Sequence, residues 1–295
     1  MTHQAVGFTD ISPHARQIIR TMAGEWADRY IGEVLLPDLE LIADASGPTL
    51  KEVREALMDP YRCLLSFFGH YAFARRGKDR PEYETNACNA LRRLASPDDF
   101  AEHLKAPDGE ALWQAFSDIC AERKRKNPEQ LNKGIIAGML ELAQEIYSLD
   151  AQGSIAGWIL SGVLSTSRIE PQFLRIVDIR GVGPKTTSTY LRDMVLLFGI
   201  EGQVDNADKL FLQPIDRWIR MIASQIVTEV NIDETVDWVL AGKLNRYTRK
   251  SGISGIRFNM GASYFGQKEI RDPARFEQVM EEWFPTIPGM ELEDS

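Results

Sequence analysis

The chemistry in this sequence centres on a lysine that directly follows a glycine-rich turn. Residues 181–185 read Gly-Val-Gly-Pro-Lys, after an apolar run at 174–179. Apolar residues at helical spacing resume at 190–197. Glycine permits a tight reversal of the chain, and proline suits the first position of a new helix. The pattern therefore predicts helix, tight hairpin and helix, with Lys185 at a helix N-terminus whose N–H groups and dipole favour an anion.

Two segments of the chain resemble the helix-hairpin-helix DNA glycosylase superfamily. Residues 179–187, Ile-Arg-Gly-Val-Gly-Pro-Lys-Thr-Thr, are similar to its L-P-G-V-G-x-K-T hairpin, with Arg180 in place of the proline. Residues 214–220, Pro-Ile-Asp-Arg-Trp-Ile-Arg, are close to its apolar-Asp-x-His-apolar-x-Arg pattern, with Trp218 where histidine is common. The close match covers only 174–197 and 214–220, and elsewhere only the order of helical elements is similar.

The resemblance implies an all-α fold with two helical lobes, a helix-hairpin-helix motif and a cleft between the lobes. The central lobe is expected at 60–200, ending in the hairpin at 174–197, and the second lobe at 1–59 and 201–295. The residues independently favour an all-α chain, because apolar spacing is helical along its length and no stretch shows a strand pattern.

The resemblance also implies which residues act. Lys185 and Asp216 are the expected catalytic pair. Contacts with DNA are expected from Gly181, Val182, Gly183, Lys185, Thr186, Arg217 and Arg220. Backbone carbonyls of Val177, Ile179 and Val182 are the expected ligands of a monovalent cation at the hairpin. No cofactor is otherwise required by this chemistry.

The expected reaction is excision of a damaged base from duplex DNA. A glycosylase moves the nucleotide out of the base stack into a pocket. A neutral lysine then attacks the sugar, displaces the base and forms a Schiff base, which can eliminate the 3′ phosphate. The long gap between Lys185 and Asp216 resembles the archaeal-type 8-oxoguanine glycosylase branch, so 8-oxoguanine is the expected base.

Each of these residues has a simpler interpretation. Lys185 is also explained as a phosphate contact, and Asp216 as the N-cap of a helix beginning at Arg217. Asp205 is a rival for the catalytic carboxylate, because it lies nearer to the hairpin in sequence. Two other functions therefore stay open: a non-catalytic DNA-binding protein that uses the same hairpin, and a monofunctional glycosylase in which Asp216 activates water.

Composition limits the class of protein. The 295 residues carry a formal net charge of −9, but residues 238–268 contain six basic side chains and no acidic one. That distribution is compatible with a basic DNA-binding face on an acidic body. The three cysteines, Cys63, Cys88 and Cys120, are too few for a four-cysteine iron–sulfur cluster and show no disulfide spacing.

Two features that are absent from the sequence bear on the expected location of the protein. No apolar run is long enough to span a membrane, and the N-terminal stretch has no basic start followed by an apolar core. We therefore expect a cytoplasmic protein that does not use a membrane. The resemblance implies double-stranded DNA with a damaged base as the partner, so we expect a monomer that is associated with the nucleoid when it acts.

Overall fold

The computed structural model describes residues 11–43, 45–73, 80–150 and 153–285, and the N-terminal stretch examined for a signal peptide lies largely outside them. The described residues form helices and no strand, which confirms the all-α prediction for this part of the chain. In chain order the α-helices are α1 (Pro13–Thr21), α2 (Ala27–Tyr30), α3 (Leu36–Leu39), α4 (Leu50–Leu57), α5 (Pro60–Ser66), α6 (Arg80–Leu94), α7 (Phe100–Lys105), α8 (Gly109–Glu122), α9 (Glu129–Leu149), α10 (Ile155–Thr166), α11 (Glu170–Val177), α12 (Pro184–Phe198), α13 (Arg217–Ser224), α14 (Asp237–Lys250), α15 (Gly255–Phe265) and α16 (Phe276–Trp283).

Short helical segments of other pitch join several of these elements. They are π-helical at Met22–Trp26, Ile31–Leu35, Phe67–Tyr71 and Gly266–Ile270, and 3-10 helical at Glu40–Ile42, Asp208–Leu212 and Pro273–Arg275. In the described part of the chain, no helix is both long and apolar enough to cross a membrane.

Contacts divide the chain into two compact units. The terminal unit comprises residues 1–30 and 215–295, and the central unit comprises residues 31–214. The segments 31–59 and 201–214 thus belong with the central unit, whereas the sequence prediction placed them with the terminal lobe. Long-range polar contacts within the central unit give the reason: Arg62 donates to the Ile42 carbonyl at 3.0 Å, and Arg168 pairs with Asp208 at 2.8 Å.

Aromatic rings fill the core of the central unit around α5 and α12. Tyr190 is fully buried and meets Phe67 edge-on at a centroid distance of 5.2 Å and Tyr71 at 4.9 Å. The Tyr190 hydroxyl lies 3.5 Å from the Cys63 sulfur, and that sulfur also accepts the backbone N–H of Ala156. This packing joins α5 and α10 to the helix that follows the hairpin.

The terminal unit is built around Trp26 and α15. The Trp26 ring is fully buried and lies 4.9 Å from Phe265 and 5.3 Å from Trp283, both edge-on. A Cβ atom at Gly261 would lie 1.8 Å from the Met22 carbonyl oxygen, so glycine is required for this close helix crossing. Segments from the two ends of the chain therefore share one core.

Two helix boundaries differ from the sequence pattern. The apolar spacing after Asp216 predicts one helix over 217–230, but α13 ends at Ser224. The residues at 226–230 are largely β-branched, which lowers helix propensity. The pattern also predicts a helix over 233–241, whereas α14 runs from Asp237 to Lys250. The helix begins later because the carbonyls of Ile232 and Thr235 accept hydrogen bonds from the Arg220 side chain.

Candidate active site

A tight turn, called the hairpin below, joins α11 to α12. The N–H of Ile179 donates to the Ile176 carbonyl at 3.1 Å, and the N–H of Val182 donates to the Ile179 carbonyl at 2.9 Å. Gly181 has a φ of +92°, which L side chains rarely adopt. Gly183 has a φ of −92° and is the extended N-cap of α12. Of the two turn glycines, therefore, only Gly181 is required by its backbone conformation.

The hairpin packs directly against the backbone of α9. A Cβ atom at Gly134 would lie 2.6 Å from the Arg180 carbonyl oxygen, and one at Gly138 would lie 2.7 Å from Ile179 Cγ2. In the other direction, a Cβ atom at Gly181 would lie 2.8 Å from the Leu131 carbonyl oxygen. The sequence analysis did not identify this packing of the hairpin on α9. Gly134 and Gly138 are four residues apart and therefore lie on one face of the helix, which was a visible signal for close packing.

The N-terminus of α12 leaves backbone donors available. Pro184 occupies the first helical position, and among the described residues no side chain caps this end. The first backbone bond of the helix joins the Thr187 N–H to the Gly183 carbonyl at 3.0 Å. The N–H groups of Lys185 and Thr186 therefore have no partner within the helix, and they lie at its positive dipole end. This arrangement suits a phosphate or another anion.

The side chains of the hairpin differ in their access to solvent. Lys185 is exposed, whereas Val182 and Thr186 are buried, at 4% and 7% exposure. The Val182 N–H is also already used inside the turn. Expected DNA contacts from Val182 and Thr186 are consequently limited to backbone atoms, and of these three residues only Lys185 presents its side chain.

The expected cation ligands form part of the same turn. The Ile179 carbonyl, one of the three, accepts the Val182 N–H and keeps its second lone pair. No group of three or more His, Cys, Asp or Glu side chains in the described ranges is arranged to hold a metal ion. That finding concerns side chains, so the backbone cation site at Val177, Ile179 and Val182 stays a prediction.

Asp216 is held by both of its carboxylate oxygens. Oδ1 accepts the Ile219 N–H at 2.8 Å, so Asp216 is the N-cap of α13 as expected. Oδ2 accepts the Ser263 hydroxyl at 2.5 Å. Ser263 lies on α15, and its hydroxyl in turn accepts a hydrogen bond from Gln267. No local pattern points to Ser263, because its contact with Asp216 depends on the packing of α15 against α13.

The two arginines after Asp216 have different surroundings. Arg217 is exposed, and its guanidinium lies 4.4 Å from the centroid of the Trp218 ring. Arg220 donates to the carbonyls of Ile232 and Thr235 and to Asp237, the last at 2.5 Å. Arg220 therefore has a structural role that fixes the loop before α14, and its contact with DNA stays a prediction.

Trp218, which stands where the family commonly has histidine, is 7% exposed. A Cβ atom at Gly266 would lie only 2.4 Å from Cβ and Cγ of Trp218. The residue is therefore a packing contact between α13 and the segment that follows α15, and Gly266 makes room for it.

The rival carboxylate Asp205 lies in a turn of the central unit. Its Oδ1 accepts the Ala207 N–H at 2.8 Å, a local contact that aspartate commonly makes in turns. Asp208, three residues further on, is 2% exposed and accepts from Arg168 and from the N–H groups of Ile169, the N-cap residue of α11, and Glu170, its first residue. Asp205 is thus exposed and locally bonded, whereas Asp208 caps the first helix of the hairpin motif.

The pKa of Asp208 reflects these partners. Burial by itself would raise the pKa of this carboxyl, but the Arg168 guanidinium and the two backbone N–H groups outweigh it and hold the pKa below its ordinary value. Asp208 is therefore a structural anion at neutral pH.

Three of the six basic side chains at 238–268 form ion pairs within the terminal unit. Lys243 and Arg246 pair with Glu229 at 3.6 and 2.7 Å. Arg257 pairs with Asp28 at 2.7 Å and donates to the Ala23 carbonyl. The expected basic face thus contains fewer uncompensated cations than the sequence count suggests, because the acids that offset them come from other parts of the chain.

A buried ionic cluster supports α12 on its inner side. Arg192 and Asp193, 3% and 0% exposed, form an ion pair at 2.8 Å. His70 lies between two carboxylates, with Nδ1 2.6 Å from Asp38 and Nε2 3.9 Å from Asp193. The sequence showed no ligand spacing for His70, and the structure places it in this cluster.

Comparison of the chain with protein-family models, curated proteins and solved structures found no match.

Proposed function

We propose that this protein is a DNA glycosylase with AP lyase activity, which removes an oxidised base from duplex DNA through a Schiff base at Lys185. The observation that carries the proposal is an exposed lysine in the first turn of a helix whose N-terminus has no side-chain cap, directly after a turn that requires glycine. The best candidate for the base is 8-oxoguanine, by resemblance to the archaeal-type branch.

In this proposal the hairpin holds the DNA backbone and Lys185 performs the substitution. The N–H groups of Lys185 and Thr186 donate to a phosphate. The lysine amine, when neutral, attacks C1′ of the extruded nucleotide, and the bond from C1′ to the base nitrogen breaks with its electron pair on the base. Opening of the sugar ring gives the imine, loss of a C2′ proton follows, and the 3′ phosphate leaves.

Asp216 is proposed to stabilise the positive charge that develops on the sugar as the base departs. Its two hydrogen bonds, from the backbone N–H of Ile219 and from the Ser263 hydroxyl, fix the orientation of the carboxylate. A preorganised charge of this kind contributes more to a transition state than a mobile one. The proposal requires Lys185 and Asp216 to act on the same nucleotide, with Asp205 as the alternative carboxylate.

The first test is borohydride trapping on a duplex oligonucleotide that contains 8-oxoguanine. We expect a covalent protein–DNA adduct with the unmodified protein and none with Lys185→Gln, because glutamine cannot form a Schiff base. Lys51→Gln is the matched control, since Lys51 is an exposed lysine on α4 outside the hairpin. This control should give the adduct in full yield.

The other outcomes discriminate between the alternatives. Base release without an adduct, with strand breaks only after alkaline treatment, would indicate the monofunctional glycosylase. Salt-sensitive DNA binding without product from a panel of oxidised, deaminated and alkylated bases would indicate a non-catalytic hairpin protein. An adduct that persists in Lys185→Gln would remove Lys185 as the nucleophile.

A further inference from the structure

The carboxylate of Asp216 belongs to a row of three hydrogen-bonded side chains in the terminal unit. Gln267 Nε2 donates to the Ser263 hydroxyl oxygen at 3.2 Å, and the Ser263 hydroxyl donates to Asp216 Oδ2 at 2.5 Å. Asp216 and Ser263 are partly buried, whereas Gln267 is exposed. The row therefore runs from the exposed face of the π-helical segment after α15 to the N-cap of α13.

The direction of each hydrogen bond follows from the protons that the three groups carry. An ionised carboxylate has no proton, so the contact between Ser263 and Asp216 must use the single hydroxyl proton of Ser263. That proton is then unavailable to Gln267, which must present its amide N–H to the serine oxygen. Gln267 thus favours the orientation of the hydroxyl that points at Asp216.

Close packing fixes α15 on both sides of Ser263. A Cβ atom at Gly261 would lie 1.8 Å from the Met22 carbonyl oxygen, and one at Gly266 would lie 2.4 Å from Cβ of Trp218. Neither contact leaves room for a side chain, so both hold the backbone around Ser263 in place. Because Trp218 lies on α13, the second contact also sets the distance from Ser263 to the N-cap of that helix.

We propose that Ser263 is a positioning residue for the carboxylate of Asp216, and that Gln267 supports it by directing the Ser263 hydroxyl. The inference rests on the proposed glycosylase function, in which Asp216 stabilises the positive charge on the sugar. The Ile219 N–H holds only Oδ1, so without the Ser263 hydroxyl the carboxylate can turn about that one hydrogen bond. A charge that must reorient stabilises a transition state less than one that is already fixed.

Single-turnover excision and equilibrium binding of a duplex oligonucleotide that contains 8-oxoguanine test the role of Ser263. Ser263→Ala should excise the base about tenfold more slowly, the loss expected for one hydrogen bond to a charged group. Its affinity for the duplex should not change, because Ser263 is not proposed to contact DNA. Ser263→Thr retains a hydroxyl and should recover most of the rate. Ser224→Ala is the matched control and should keep the unmodified rate, since Ser224 is an exposed serine whose hydroxyl donates to the Met221 carbonyl.

Gln267→Met tests the outer member of the row. Methionine has nearly the same length but no amide donor, so this variant should lose less rate than Ser263→Ala, because the hydroxyl itself remains. Thermal denaturation identifies the variants that are folded, and the exposed position of Gln267 makes this variant tolerant of substitution.

The decisive comparison introduces Ser263→Ala into the Asp216→Asn variant. A residue that acts only through the charge of Asp216 should have no further effect on the rate once that charge is absent. An unchanged rate in Ser263→Ala, an equal loss in both backgrounds, or a loss of duplex affinity in place of rate would each overturn the inference while the glycosylase activity stands. An unmodified protein that excises no base from the whole panel would overturn the proposed function, and the inference with it.

Discussion

At the residue scale, the two proposed catalytic side chains are held in opposite ways. Lys185 is exposed in the first turn of α12, where its chain is free to follow a substrate. Asp216 is bound at both oxygens by Ile219 and Ser263. This difference suits their proposed roles, because a nucleophile must move along the reaction coordinate while a stabilising charge acts best when fixed.

The first prediction concerns the identity of the carboxylate. Asp216→Asn should slow 8-oxoguanine excision by about a hundredfold or more in single-turnover assays, through loss of the negative charge. Its thermal stability should change little, because asparagine is an equally good N-cap.

Asp205→Asn is the matched comparison for this experiment. Asparagine preserves the local turn at that position, so this variant should excise the base at the unmodified rate. The reverse pattern, an inactive Asp205→Asn with an active Asp216→Asn, would assign the role to Asp205.

Asp208 gives a pH-dependent prediction. Its pKa in the folded protein is below the ordinary value of 3.8, so folding favours the ionised form. The stabilisation is complete above about pH 4 and disappears as the pH falls through the folded pKa. Asp208→Asn should therefore lower the free energy of unfolding at pH 7, and the difference from the unmodified protein should shrink toward about pH 2.

Urea unfolding at several pH values measures this effect. Glu102→Gln is the control, because Glu102 forms only an exposed ion pair with Lys105, for which a contribution near zero is expected at any pH. A difference for Asp208→Asn that grows on acidification would contradict the assignment.

At the scale of elements, α9 positions the hairpin. Gly134 and Gly138 let the backbone of residues 179–181 approach the helix so closely that no Cβ atom fits. On its other side, α12 is joined to His70 and Asp38 through the buried pair Arg192–Asp193. Packing against α9 therefore fixes the turn before Lys185, and the buried cluster fixes α12 itself. The proposed catalytic role of Lys185 requires rigidity of this kind.

Gly181→Ala should disrupt this arrangement. Alanine would have to adopt a φ near +92°, and its methyl group would lie within 3 Å of Ile135 and of the Leu131 carbonyl. We expect a loss of about 2 kcal/mol or more in the free energy of unfolding, with weaker DNA binding. Gly202→Ala is the control, because nothing lies within 4 Å of a Cβ atom there and its φ is ordinary. Equal stability of the two variants would show that the turn adapts.

At the scale of the whole molecule, two units share one chain. The terminal unit takes residues from both ends, and the central unit contains the hairpin. Three of the six basic residues at 238–268 are paired with acids outside that stretch, Asp28 and Glu229.

The cysteines provide a measure of global unfolding. Cys63, Cys88 and Cys120 are all buried, and burial raises the pKa of each thiol, that of Cys88 to about 12. At pH 8 only about one Cys88 in ten thousand is ionised, so the native protein should not react with Ellman's reagent on the time scale of mixing. All three should react after denaturation in urea, and a fast native thiol would contradict the described core.

The sequence by itself determined the helical class, the turn before α12, the placement of Lys185 at a helix N-terminus and the capping by Asp216. These features are local: apolar spacing, a glycine–proline turn and a cap each depend on neighbours within a few residues. The same logic failed at the end of α13, where β-branched residues follow, and at the start of α14, where the carbonyls of Ile232 and Thr235 accept hydrogen bonds from Arg220.

Only the tertiary structure decided which segments share a core and which partners the site residues have. Periodicity shows that 31–59 has an apolar face but not which helices cover it, because burial free energy is non-directional. Three contacts join residues far apart in sequence: the hydrogen bond from Ser263 to Asp216, the packing of the turn against Gly134 and Gly138, and the ion pair between Arg257 and Asp28. Such contacts depend on the packed positions of whole helices, which no local pattern specifies.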